Sequence, residues 1–365
     1  MANDIFDAVY GCLIGGAIGD ALGAPVEGHY YADIRVDPGV LTDFVPSFRG
    51  NTGDRYLASR GEAGVPGAIT DDTTLRHYMC LAIVRKGGRI TPEEFAAIWL
   101  EKLNPNRFWF NERIVLQKLQ IGMSPWDTGR GQPPAGCATM AIAPMGIVNA
   151  GDPAQAYQDA VDIASVNQDG VNRDAAATVA AGVAAAFIPG ATVDSVIAAM
   201  MDHSTDLVRR GLILTMDLAT ASASVDEFAE KFYATMLDWT WPSRNWTKER
   251  HFSGSSLEFM PVVPAVLHLC QGDVNRSIIE GANFGRDCDT IGSVAGNIAG
   301  ILQGASAIRP DWIQQCEQAN EAFFEEVEGD RSANFRSMAE RLVAVMRAEH
   351  AALTERARRL ETILG

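Results

Sequence analysis

The stretch Gly11-Cys12-Leu13-Ile14-Gly15-Gly16-Ala17-Ile18-Gly19-Asp20-Ala21-Leu22-Gly23 sets a glycine at every fourth position, and Gly292, Gly296, Gly300 and Gly304 repeat the pattern far along the chain. Glycine inside a helix costs about 1 kcal/mol relative to alanine, so the repetition needs an offsetting gain. A spacing of four keeps the glycines on one slowly drifting helix face, where the missing side chains let another backbone come close. The reading is two deeply buried central helices. A membrane pair would use the same spacing. Against it stand Asp20 inside the stretch and Asp4 and Asp7 before it, where an anchor or signal peptide would carry Lys or Arg.

Outward from these stripes, helical periodicity predicts helices near 5–22, 73–86, 92–102, 137–149, 153–166, 172–187, 205–220, 257–271, 273–284, 290–304 and 334–363. Almost nothing alternates with a strand's period of two, so the fold class is all-α. Thr91-Pro92-Glu93-Glu94 is a capping box with proline at the first helical position, and Asp152-Pro153 opens a helix in the same way. Residues 24–70 and 240–256 resist a helical reading, and loops of that length tend to be functional. Trp239, Trp241 and Trp246 near the second are read as an aromatic satellite core in preference to a base-stacking platform. The C-terminal helix sets Met346, His350, Leu353, Ala357, Leu360 and Leu364 at alternating steps of four and three, a heptad-like seam that would dock on the body or on a second copy.

The 365 residues, 47% of them hydrophobic, contain no low-complexity linker, and one domain spanning 1–365 is expected. Six cysteines, Cys12, Cys80, Cys137, Cys270, Cys288 and Cys316, form no C-x-x-C pair, so neither a zinc site nor a disulfide framework is indicated. A reducing cytoplasm fits that usage. A net charge of -16 disfavours nonspecific nucleic-acid binding. An anionic substrate would require bound cations to invert the local field.

Ile69-Thr70-Asp71-Asp72-Thr73 joins a loop to a helix start, and Arg286-Asp287-Cys288-Asp289-Thr290 does so before the second glycine-striped helix. Adjacent carboxylates repel unless a cation or a helix N-terminus neutralises them. Ordinary capping explains one Asp or Thr per helix; two acids with threonines at both sites call for more. Oxygen-only donors point to magnesium or manganese, with calcium possible, and away from zinc. A third acid, Glu27, follows the first glycine stripe in Ala24-Pro25-Val26-Glu27-Gly28.

In order and spacing these three segments resemble the ADP-ribosylglycohydrolase family, which includes the dinitrogenase reductase activating glycohydrolases and the hydrolases of arginine- and serine-linked ADP-ribose. The resemblance runs over roughly residues 8–312, with Ile142-Ala143-Pro144-Met145-Gly146 and Ile308-Arg309-Pro310-Asp311-Trp312 as supporting matches. It implies a compact orthogonal bundle of helices. It further implies that Thr70, Asp71, Asp72, Asp287, Asp289 and Thr290 hold two Mg2+ ions (Mn2+ possible), and that Gly136, Asn167, Gln168 and Gly285 contact substrate. Glu27 and Asp289 are the catalytic acids it suggests. Cleaving a ribosyl bond builds positive charge on the anomeric carbon and ring oxygen. Cations on the ribose hydroxyls would fix the sugar and supply an activated water, with Asp289 orienting it and Glu27 polarising the ribose or protonating the leaving group.

Two positions depart from the family pattern. A Thr-His pair is common where this chain has Asn167-Gln168, and Met140 is followed by Ala141 where an arginine is common. Gln168 hydrogen-bonds but carries no charge. Three readings therefore stand: a hydrolase releasing ADP-ribose from a modified protein or small conjugate, a hydrolase of a simpler ribosylated compound or nucleoside, and a noncatalytic homologue. A metal-free paired-carboxylate glycosidase needs only two of these acids. The expected partner is an ADP-ribosylated protein or small ribosylated molecule, with no nucleic acid and no membrane, for a monomer or homodimer.

Overall fold

The computed structural model describes residues 4–46, 65–240 and 255–365. Its helices begin with α1 (Ile5–Gly23), α2 (Tyr31–Val36), α3 (Asp71–Lys86), α4 (Pro92–Lys102), α5 (Phe110–Gln120) and α6 (Ala143–Val148). They continue through α7 (Pro153–Ala164), α8 (Val171–Ala186), α9 (Val193–Asp202), α10 (Asp206–Thr220), α11 (Val225–Thr240) and α12 (Ser256–Phe259). The last six are α13 (Val262–Leu269), α14 (Val274–Ala282), α15 (Cys288–Gln303), α16 (Pro310–Ala319), α17 (Glu321–Glu328) and α18 (Phe335–Leu364). No strand occurs among the described residues, and the all-α expectation holds.

The glycine stripes meet each other. A Cβ added to Gly11 would lie 2.1 Å from the Gly300 oxygen, one on Gly15 2.6 Å from the Gly296 oxygen, and one on Gly19 2.1 Å from the Gly292 oxygen. Helices α1 and α15 thus run antiparallel with their backbones in contact, and every residue of α1 from Ala8 to Gly23 is buried. Gly304 takes another part, ending α15 with a φ of +83°. Helix α1 has the length and mean hydropathy of a membrane span, yet 83% of its apolar window is buried inside the protein. A buried guanidinium staples the pair to α3: Arg76 donates to Ser293 Oγ (2.7 Å), Thr73 Oγ1 (2.9 Å) and the Leu13 carbonyl (3.5 Å).

The expected helices at 137–149 and 257–271 are broken. Pro144 in the first turn of α6 lets that helix begin only at Ala143, and Pro261, without an N–H to give, separates α12 from α13. Helices α2, α5, α9, α11, α16 and α17 lie beyond the expected set. Most have short apolar faces; α9, for instance, buries only Val196, Ile197 and Met200, though α11 buries Phe228, Phe232 and Tyr233. The 3.6-residue pattern is present in such helices, but each is short or lightly apolar, and packing against the body decides that it folds. Side chains of the tryptophan cluster, Trp239, Trp241 and Trp246, lie outside the described residues.

Helix α18 docks through Phe335, Met338, Ala339, Leu342, Val343 and Val345. Of the expected seam, Met346 is partly buried against the core. Leu353, Leu360 and Leu364 are 65%, 47% and 83% exposed. The seam therefore does not dock on the body beyond His350, because nothing among the described residues covers it.

Gly15→Ala tests the central contact. On an open helix that change stabilises by about 1 kcal/mol; here the methyl meets a backbone carbonyl that cannot rotate away. We expect a loss of about 3 kcal/mol, read from the urea midpoint.

Candidate metal centre

The close crossing delivers the end of α1 to the starts of α3 and α15. Asp20, buried in α1, accepts from the backbone N–H of Thr70 (3.1 Å to Oδ2), from its hydroxyl (2.7 Å to Oδ1) and from the Thr73 N–H (3.1 Å). It thus occupies the N-terminus of α3, where orphan N–H groups and the helix dipole favour an anion. With these donors taken by Asp20, the Asp71 and Asp72 side chains are released from capping. Thr70 also caps the helix, accepting from the Asp72 N–H at 3.4 Å.

The second motif is placed by α15. Gly23 lies so close to it that a Cβ would sit 2.5 Å from the Asp289 Cα. Beyond α1 the chain turns through Glu27, and Gly28 N–H donates to the Arg286 carbonyl (2.7 Å) while Arg286 N–H donates to the His29 carbonyl (2.6 Å). Those two bonds bring Glu27 beside the acids of α15: ligand oxygens of Glu27, Asp287 and Asp289 all fall within 4.8 Å of one another. The two motifs are joined directly, with the Thr290 hydroxyl donating to Asp72 Oδ1 at 2.9 Å.

The structure therefore brings together Glu27, Thr70, Asp71, Asp72, Asp287, Asp289 and Thr290. Gly136 lies at their edge, where a Cβ would reach 3.4 Å from Asp287 Oδ2 and only 2.7 Å from the Phe259 ring. Gly285 (φ +87°) meets the Tyr31 and His29 backbone, so it serves the packing of the Glu27 turn. Asn167 and Gln168 are buried between α7 and α8, against the loop at Gly129, whose added Cβ would lie 2.4 Å from the Gln168 carbonyl. The Gln168 carboxamide has no hydrogen-bond partner among the described residues.

Three participants escaped the sequence reading. Asp20 had a legible signal, since an acid amid apolar, glycine-striped residues must be buried and must find donors. Arg286 and Glu258 had none: they pair at 2.7 Å beneath Tyr233, whose ring lies 4.8 Å from the Arg286 guanidinium.

Burial pushes Asp71, Asp72 and Asp289 well above the usual carboxylate range, and neighbouring carboxylates push the same way. Burial likewise raises Asp287 to about 6, against a hydrogen bond from Thr290 that lowers it. The donors are all carboxylate or hydroxyl oxygens, crowded and mutually repulsive, which is what a hard cation relieves. The donor set fits such an ion. All six cysteines are free and buried; Cys288, between the two aspartates, turns its thiol to the Gly23 carbonyl.

Comparison with known proteins agrees with this architecture. The family model for ADP-ribosylglycohydrolase matches residues 1–352. The uncharacterised protein YegU of Escherichia coli (strain K12) is 25% identical over 325 residues, covering 87% of this chain and 94% of that protein. An uncharacterised protein of Archaeoglobus fulgidus is 26% identical over 312 residues, 83% of this chain and 89% of its own. A solved ADP-ribosylglycohydrolase-related protein complex superposes with a TM-score of 0.61 at 18% identity, over 94% of this chain and 98% of that one, and shares the fold. The chain belongs to the ADP-ribosylglycohydrolase family, which is typically metal-dependent.

Two outcomes test the centre. Asp20→Ala strips α3 of its carboxylate cap and should lower stability by about 3 kcal/mol in urea unfolding. The raised acids bind protons more tightly folded than unfolded, so their contribution is complete below the unfolded carboxylate range and is lost as pH rises through the folded value, about 6 for Asp287. The melting temperature of chelator-treated protein should therefore fall between pH 5 and pH 7, and magnesium should flatten that slope; a rise with pH would contradict the reading.

Proposed function

We propose that this family member is a magnesium-dependent hydrolase that cleaves a ribosyl glycosidic bond, releasing ADP-ribose from a modified protein or a small conjugate. The observation that carries the reading is the convergence of Glu27, Asp287 and Asp289 oxygens within 4.8 Å, tied to Asp72 through Thr290. Ribosyl cleavage develops positive charge at the anomeric carbon, and a carboxylate-lined site favours that charge while orienting the sugar. Two magnesium ions, with manganese as a substitute, would be held by Thr70, Asp71, Asp72, Asp287, Asp289 and Thr290. Bound there, they would supply Lewis-acid polarisation and a lowered water pKa. Asp289 orients the attacking water, and Glu27 faces the ribose, polarising it or protonating the leaving group.

A second reading, hydrolysis of a simpler ribosylated compound or nucleoside, has its own support. Gln168 is buried with an unpartnered carboxamide where relatives commonly carry histidine, and Ala141 is buried where they commonly carry arginine. Neither position brings a positive charge to a diphosphate. For both readings we place the protein in the cytoplasm, as a monomer or homodimer acting on a ribosylated protein or small molecule.

Calorimetric titration of chelator-stripped protein with ADP-ribose and with ribose, each with and without magnesium, separates them. Tight, magnesium-dependent binding of ADP-ribose alone supports the first reading; equal binding of ribose moves the function to the simpler substrate. Asp289→Ala should lower turnover of an ADP-ribosylated peptide by on the order of 10³ while the helical circular dichroism is retained. Full activity in that variant, or in metal-free buffer, would overturn the metal assignment.

A further inference from the structure

The other buried acids outside the two metal motifs and the Glu27 turn have hydrogen-bond or ion-pair partners. Asp159 accepts from Arg89 (2.6 Å), Gln155 (2.8 Å) and Asn149 (3.0 Å). Asp174 accepts from Tyr157 (2.8 Å) and the Thr205 N–H (3.1 Å). Glu258 pairs with Arg286, and Asp20 caps α3. Glu112, in the first turn of α5, is different: it is 0% exposed, and among the described residues its two buried carboxylate oxygens have beside them only the Cys137 thiol, a weak donor. Leaving such a group poorly satisfied is costly, more so if it is charged.

Its surroundings tie it to the carboxylate cluster. Asn111, the preceding residue, donates Nδ2–H to the Cys137 thiol at 3.6 Å and leaves its own Oδ1 unpartnered and buried. Cys137 follows Gly136, which abuts Asp287. Cys137 also touches the Glu112 carboxylate, so the acid sits one residue from the glycine that abuts Asp287. Glu112 stands apart from the group whose oxygens converge closely enough to bind one ion directly. An acid close to the cluster but outside that convergence has water as its natural partner, because magnesium keeps several of its waters when bound to protein carboxylates.

We propose that Glu112 belongs to the cation centre as a positioning residue, accepting hydrogen bonds from water carried by the cation held at Asp71. The inference rests on the magnesium-binding reading above. It gives strong donors to two oxygens that otherwise have only a thiol beside them, and it makes α5 part of the site, although no acidic motif marks that helix.

The experiment measures magnesium binding by calorimetry, and melting temperature in chelator, for the full chain and for Glu112→Gln, Glu112→Asp and Asp159→Asn. Loss of an acid that orients metal-bound groups weakens affinity by roughly 10–100-fold. Glu112→Gln should show that loss with a metal-free melting temperature that is unchanged or raised, and Glu112→Asp should recover part of the affinity. Asp159→Asn should lower the melting temperature and leave magnesium affinity alone. Magnesium affinity of Glu112→Gln within about twofold of the unaltered chain overturns the proposal; so does a lowered metal-free melting temperature, the mark of a structural acid. If the unaltered chain takes up no magnesium, the cation reading of the whole site fails, and Glu112 with it. Tight binding that is indifferent to Glu112 sinks only the present inference.

Discussion

Everything in this molecule hangs on two helix backbones touching. Between α1 and α15 the closest approach is main chain to main chain: three glycine pairs from Gly11/Gly300 to Gly19/Gly292, with Gly23 against Asp289 at the end. Close approach of that kind sets the separation and the register of the helices together, because a carbonyl oxygen offers no rotamer by which to adjust. The functional ends follow as geometric consequences. With the register set, Asp20 falls at the N-terminus of α3, and the turn after α1 falls beside Asp287 and Asp289.

What the packing brings together, electrostatics would drive apart. Burial raises the proton affinity of Asp71, Asp72 and Asp289, and the carboxylates crowded around them add to it. Main-chain bonds hold the arrangement: Gly28 and Arg286 clamp the Glu27 turn, and Arg286 does so from a left-handed backbone (φ +59°) that a side chain of its size seldom adopts. Its guanidinium is stacked over Tyr233 and bonded to Glu258, which ties the unusual conformation down. Stability here is spent on concentrating like charge, a common signature of sites built for chemistry.

The frame and the acids were legible because each leaves a local trace. A glycine every fourth residue announces a backbone contact, and paired acids with threonines at two helix starts announce more than capping. Residues whose meaning depends on a distant partner left less. Asp20 was readable only as an argument against a membrane, although its burial already demanded donors. Glu112 has the appearance of any acid in a helix's first turn, and only its surroundings distinguish it. Helices such as α9 fold because the rest of the protein gives their short apolar faces somewhere to go.

The central contact also orders events in time. Cys288 follows Gly23 by 265 residues, so at a synthesis rate of about 5–20 residues per second α1 exists for on the order of 15–50 s before its partner leaves the ribosome. Throughout that interval the emerging chain carries an apolar segment of membrane-spanning length without the helix whose backbone it will touch, and only α3 of its bonded neighbours is made early. Pairing that must wait for so distant a sequence is slow as well as late. The feature that gives the folded protein its rigid centre is thus one its growing chain completes only late.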